Sequence, residues 1–126
     1  MNESASLSER KVLAKAVTRL LREWQLSEDT CLALLGLAGD AHARLRAYAR
    51  GELLDDDPEV LQRMGYLLRI YRLLGSLYPE NEEIRAQWMR SKNLRFGGDT
   101  PAEVGRRNGL EGLKRVQAEL ARMCGG

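Results

Sequence analysis

Leu13, Val17, Leu20 and Trp24 fall three or four residues apart, with Val12, Ala16 and Leu21 widening the row, and Lys11, Lys15, Arg19, Arg22 and Glu23 fill the remaining positions. An apolar row of that period predicts an amphipathic helix with a charged outer face. Ser27 then stands as an N-cap, with Glu28 and Asp29 in the first turn, for a short helix that carries Cys31, Leu32, Leu34 and Leu35 and stops at Gly36. A third helix is expected over Asp40 to Arg50, closed by Gly51. After the acidic connector Glu52 to Asp57, Asp57 caps a long helix with Pro58 at its first position. Val60, Met64, Leu67, Tyr71, Leu74 and Tyr78 form its buried face, flanked by Leu61 and Leu68, and Pro79 ends it.

A fifth helix is expected around Glu80 to Met89, with Ile84 and Trp88 on one face. Ser91 to Asp99 has two adjacent glycines and no helical period, so it reads as a loop. Thr100-Pro101-Ala102-Glu103 forms a capping box, in which the threonine hydroxyl accepts from the Glu103 N–H and the Glu103 carboxylate reaches back. That short helix ends near Asn108-Gly109, and Leu113, Val116, Leu120 and Met123 mark a last one. No stretch alternates as a half-buried strand does, so the fold class is all-α.

At 126 residues, 44% of them apolar, the chain is long enough for one core, or one core with a small appendage. Twenty basic against eighteen acidic residues leave +2, too balanced to announce a nucleic-acid or membrane binder by itself. Sixteen of those bases are arginine, which suits bidentate recognition of carboxylates and phosphates. The single histidine, His42, and the distant Cys31 and Cys124 give no zinc-like cluster. Cys31 is expected in the core and Cys124 on a tail, both reduced. No apolar run approaches the roughly 18 residues of a membrane span, and Met1 to Arg10 is polar, so a cytoplasmic protein is expected.

Asp55-Asp56-Asp57 lacks the alternating ligands and glycine of a calcium loop, and Gly97-Gly98 lacks the lysine and serine or threonine of a phosphate loop. No serine or cysteine is placed against a histidine base, so neither catalysis nor a cofactor is expected. Trp24 to Gly51 has the layout of a helix-turn-helix, with Gly36-Leu37-Ala38-Gly39 as the turn. Asp40, Ala41, His42, Arg44 and Tyr48 are then the candidates to meet DNA, although His42 falls where a helix-turn-helix packs its second helix and is expected as a satisfied, half-buried residue ahead of a base reader. Residues 1–54 carry eight bases and seven acids, which predicts weak DNA affinity or affinity that depends on dimerisation.

The order Trp88-Met89-Arg90-Ser91-Lys92-Asn93-Leu94-Arg95-Phe96-Gly97-Gly98-Asp99-Thr100-Pro101-Ala102-Glu103 resembles the Xre/MbcA/ParS-type antitoxins. Their toxin-binding domain has a tryptophan near a helix end, an Asn-Leu loop, a Gly and Thr/Ser-Pro pair, a short helix, a glycine and a closing amphipathic helix. The resemblance spans Asp57 to Gly126 well, and residues 9–54 are similar, more loosely, to the Xre-type helix-turn-helix. The chain departs from the family in its alanine-rich reading head and in Arg107-Asn108-Gly109, where an acidic stretch is usual.

The resemblance implies a helix-turn-helix region over 1–54 and, over 55–126, a long connecting helix followed by a small helical toxin-binding domain. It implies an antitoxin that neutralises a RES-type, NAD-consuming toxin, with no catalysis or cofactor of its own. A homodimer that also represses its own operon is part of that expectation. Trp88, Asn93, Leu94, Phe96, Gly97, Thr100 and Arg122 are the expected toxin-binding surface. Met123, Cys124, Gly125 and Gly126, with a free terminal carboxylate, are the segment expected to occlude the toxin's cleft. The competing expectation is a stand-alone dimeric helix-turn-helix transcription regulator, and a third is an adaptor that touches no DNA.

Overall fold

The protein is described by a computed structural model covering residues 3–37, 41–52 and 57–125, with the side chains of 3–6 and 41 left undescribed. Its elements run α1 (Glu3–Glu23), α2 (Glu28–Leu35), α3 (Ala41–Ala49), α4 (Pro58–Leu77), α5 (Glu82–Arg90), a single 3₁₀ turn (Leu94–Phe96) and α6 (Pro101–Met123), with no strand among the described residues. The all-α expectation holds. No helix among the described residues is long and apolar enough to cross a membrane.

α4 is the axis of the molecule because its apolar side serves both halves. It packs on α1 and on α6, and α2 also rests on α6. Val60, Met64, Leu67, Ile70 and Leu74 are buried along it. They join Trp24 and Leu21 of the N-terminal part and Leu113, Val116 and Leu120 of the C-terminal part in one continuous core. Burying each such side chain contributes about 1.5–3 kcal/mol, so the two sequence regions are fused thermodynamically. Tyr71 and Tyr78, expected in that buried row, are only half-buried at its edge.

The caps set the helix boundaries. Ser27 accepts from the Thr30 N–H at 3.2 Å, and Gly36 closes α2 at φ 72°, as the sequence predicts. Asp57 accepts from the Glu59 N–H at 2.9 Å ahead of Pro58. α1 starts earlier than its apolar row, at Glu3, since nothing in the polar run opposes helix. α5 starts later than expected, at Glu82, because the Asn81 side chain accepts from the Ile84 N–H at 3.0 Å and leaves Glu80 outside. Asp40 and most of the acidic connector lie outside the described residues.

α6 breaks at Gly109 (φ 61°, ψ −137°), so its arms 101–108 and 110–123 are the two helices anticipated on either side of Asn108-Gly109. The arms approach so closely that a Cβ on Gly112 would lie 2.2 Å from the Val104 carbonyl oxygen. Thr100 accepts from the Glu103 N–H at 3.1 Å, as a capping box requires. The reciprocal half is corrected by the structure: the Glu103 carboxylate turns instead to Arg106 and Arg107, since two guanidiniums outcompete one backbone amide.

Candidate functional site

The segment between α5 and α6, expected as an irregular loop, is a closed hydrogen-bonded cap. The Asn93 side chain accepts from the Arg95 N–H at 2.9 Å, the Asn93 N–H donates to the Asp99 carbonyl at 3.0 Å, and the Gly98 N–H donates to the Asn93 carbonyl at 3.0 Å. Gly97 terminates the 3₁₀ turn at φ 66°, a backbone state that favours glycine. Phe96 turns inward and is buried, and the Arg115 guanidinium lies 5.6 Å from its ring centroid. Leu94, two residues earlier, turns outward and is 94% exposed. A hydrogen-bonded turn thus holds a large apolar side chain in water, and Leu94 is the most exposed of the large hydrophobic residues described.

Around Leu94 lies an open groove of about 570 Å³, lined by Arg95, Phe96, Arg115, Ala118, Glu119 and Arg122. Glu119 accepts from Arg95 Nε at 3.2 Å and from Arg122 Nε at 3.1 Å. The Arg122 hydrogen bond, helped by Arg95, holds the Glu119 carboxyl below the usual carboxylate range. Arg106, and then Arg107, does the same for Glu103. The groove floor is therefore a fixed lattice of charge with an apolar knob at its rim. It has the makings of a protein-docking surface.

The expected toxin-binding residues divide in this geometry. Leu94, Phe96 and Arg122 line the groove together. Asn93, Gly97 and Thr100 shape its walls as caps and turn residues. Trp88 and Met123 are half-buried against the core. Cys124 and Gly125 are exposed just past α6, and Gly126 lies outside the described residues. Sequence reasoning misses Arg95, Ala118 and Glu119; the i,i+3 spacing of Glu119 and Arg122 was legible, but their meeting with Arg95 was not. Both cysteines are free, Cys31 buried and Cys124 exposed. Burial, reinforced by the Glu28 charge, pushes the Cys31 thiol up to about 11, which keeps it protonated and unreactive.

The candidate DNA-facing residues fare differently. Asp40 and the Ala41 side chain lie outside the described residues. His42 is not the half-buried packing residue expected: its side chain is 52% exposed, with Nδ1 3.0 Å from Glu28 Oε1, because α2 and α3 meet there at their rims. Arg44 is half-buried. Tyr48 is corrected from a candidate DNA contact to a core residue: it is 1% exposed on the side of α3 that packs against α1, where no nucleic acid reaches it. Among the described residues no group of three or more His, Cys, Asp or Glu side chains is placed to hold a metal ion.

Two family models match the chain. Residues 3–69 match the antitoxin Xre-like helix-turn-helix domain, and residues 72–126 match the antitoxin Xre/MbcA/ParS C-terminal toxin-binding domain. The two ranges meet inside α4. No curated protein and no solved structure matches the chain.

Proposed function

Because the chain belongs to the antitoxin Xre-like helix-turn-helix family and ends in a region matching the toxin-binding domain, we propose that it neutralises a RES-type, NAD-consuming toxin of a type II toxin–antitoxin pair. In this reading it is not an enzyme and needs no cofactor. It inhibits by obstruction, acts in the cytoplasm as a homodimer, and represses its own operon through the helix-turn-helix region. The observation that carries the reading is Leu94, 94% exposed at the rim of the groove over Glu119.

The physics of inhibition follows from that surface. Leu94 enters an apolar pocket of the toxin, while Arg95, Arg115 and Arg122 meet carboxylates around it and are desolvated together. In this reading the segment that follows α6, from Met123 onward, enters the toxin's cleft. A cleft that binds the phosphates of NAD is positively charged, so backbone carbonyls arriving there fill acceptor positions that the dinucleotide otherwise occupies. Trp88, Asn93, Gly97 and Thr100 hold the turn in register for this docking.

Co-expression with the product of the adjacent gene, followed by co-purification and an NAD-consumption assay, tests the reading. Leu94→Asp is expected to cost at least 2 kcal/mol of binding, roughly thirtyfold in affinity, and to restore toxin activity while circular dichroism stays helical. Removing residues 123–126 is expected to release activity with less effect on binding. Full inhibition by both variants would sink the proposal, and a gene with no toxin neighbour would favour the stand-alone regulator.

A further inference from the structure

Lys11, Lys15, Arg19 and Arg22 are all exposed and follow one another at i+4, i+4 and i+3 along α1. At 1.5 Å per residue they form a straight row about 17 Å long. Like charges at i,i+4 repel, so the row opposes the helix that carries it. No ion pair joins any of the four to an acid among the described residues. The nearby acids have other partners: Glu23 meets Arg85 at 3.1 Å, Glu28 meets His42 at 3.0 Å, and Glu52 meets Arg50 at 3.0 Å.

The row borders an open groove. Lys15, Arg19 and Arg22 line a depression of about 440 Å³ that Ala49 of α3 closes on the far side. An adjoining depression of about 280 Å³ shares Thr18, Arg22 and Ala49, adds the exposed Arg46, and is also lined by Glu28 and the apolar Leu21, Leu26 and Leu45. The Lys15 stem lies over Gly51, where a Cβ would come within 2.8 Å of its Cδ, so this lysine is braced toward the groove. Lys15, Arg19, Arg22 and Arg46 thus line two adjoining depressions between the first and third helices, and Lys11 extends the row one turn beyond them.

We infer that this α1 ridge, with Arg46 opposite, grips the phosphodiester backbone of duplex DNA without regard to base sequence. The inference rests on the DNA-binding part of the reading above and moves the main electrostatic contact from α3, whose Tyr48 is buried, to α1. A duplex presents one phosphate charge per strand about every 3.4 Å along its axis, so a straight 17 Å row faces about five of them. Val12 is the one large apolar side chain lining the first depression, and Leu21, Leu26 and Leu45 of the second are buried or half-buried, too little exposed apolar surface for a membrane. No aromatic residue lines either depression for stacking single-stranded bases.

The salt dependence of binding decides it. With five phosphate contacts, binding of the full chain to a fluorescent 30-base-pair duplex of arbitrary sequence should fall with log salt at a slope of about −4.5. The combined variant Lys11→Gln, Lys15→Gln, Arg19→Gln and Arg22→Gln should reduce that slope by about 3.6, and each single variant by about 0.9. Arg107→Gln with Lys114→Gln, on α6, should leave it unchanged. The combined variant should still inhibit the toxin and keep its helical spectrum. An unchanged slope overturns the ridge as the contact and leaves operator binding intact. Absence of duplex binding by the unmodified chain at low salt, with or without binding to vesicles of anionic lipid, overturns both.

Discussion

α1 and α6 are the two longest helices, and they treat their charges in opposite ways. On α6, Arg106 and Arg107 meet Glu103, Lys114 meets Glu111, Arg122 meets Glu119, and Arg115 lies over Phe96. On α1, Lys11, Lys15, Arg19 and Arg22 stand in a row with no acid partner among the described residues. Surface pairs contribute little stability, about 0–1 kcal/mol each, so the contrast concerns what each face presents. The C-terminal face is internally cross-linked and fixed, with Arg95 and Arg122 sharing Glu119, ready to meet a shaped protein surface through Leu94. The N-terminal face keeps its charge available and suits a partner that carries its own negative charge.

The sharpest way to break the contrast is to unlock α6. Gly112→Ala places a Cβ 2.2 Å from the Val104 carbonyl oxygen, and because that neighbour is backbone it cannot step aside. We expect a loss of about 3 kcal/mol or more in urea denaturation, against the gain of up to about 1 kcal/mol that Gly→Ala gives in an open helix. A neutral result would show that the two arms of α6 are not tightly crossed.

Arg63 joins the two regions. From α4 it donates to the Ala33 and Leu34 carbonyls at the end of α2, at 3.2 and 3.5 Å. A Cβ on Gly109, at the break in α6, would lie 3.1 Å from its guanidinium. Arg63→Met takes the guanidinium from both carbonyls, Ala33 keeping the Gly36 N–H, and should cost about 1–2 kcal/mol by the same measurement. Unchanged stability would mean that water replaces the guanidinium without penalty.

Acid should separate the two faces. Arg106 and Arg122 depress the Glu103 and Glu119 carboxyls. Their contribution is therefore complete above the ordinary carboxylate value and lost as pH falls through the lowered native values. A melting temperature that declines below about pH 4.5, and declines less in Glu119→Gln, is the expected record. An identical decline in both proteins would place the acid sensitivity elsewhere. The smallest effect belongs to the ridge. Lys15→Glu replaces two i,i+4 repulsions with attractions to Lys11 and Arg19, stabilising the helix by about 0.2–0.5 kcal/mol for each pair, while it should weaken duplex binding. Destabilisation instead would mean that the row already has partners.

Most elements were legible because each rests on local chemistry. Ser27 and Gly36 bracket α2, Asp57-Pro58 opens α4, and the glycine break at 109 follows from residues adjacent in sequence. The errors have two causes. Tyr48 sits at a position that a helix-turn-helix layout assigns to the surface, yet α3 turns that side onto α1. Asn81 displaced the start of α5, and Glu103 chose guanidiniums over its cap, because in each case a competing side chain offered a better hydrogen bond.

The sequence by itself determined that the chain is helical, where the capped helices α2, α4 and α6 begin, and that its C-terminal half carries the pattern of a partner-binding domain. Those properties depend on period, caps and glycine conformations that act within a few residues. Only the tertiary structure decided that Leu94 points outward while Phe96 anchors the turn, that Arg95 reaches Glu119 from 24 residues away, and that the α1 ridge faces a groove shared with α3. Exposure and charge pairing depend on which faces meet, and faces meet only when the core shared through α4 closes.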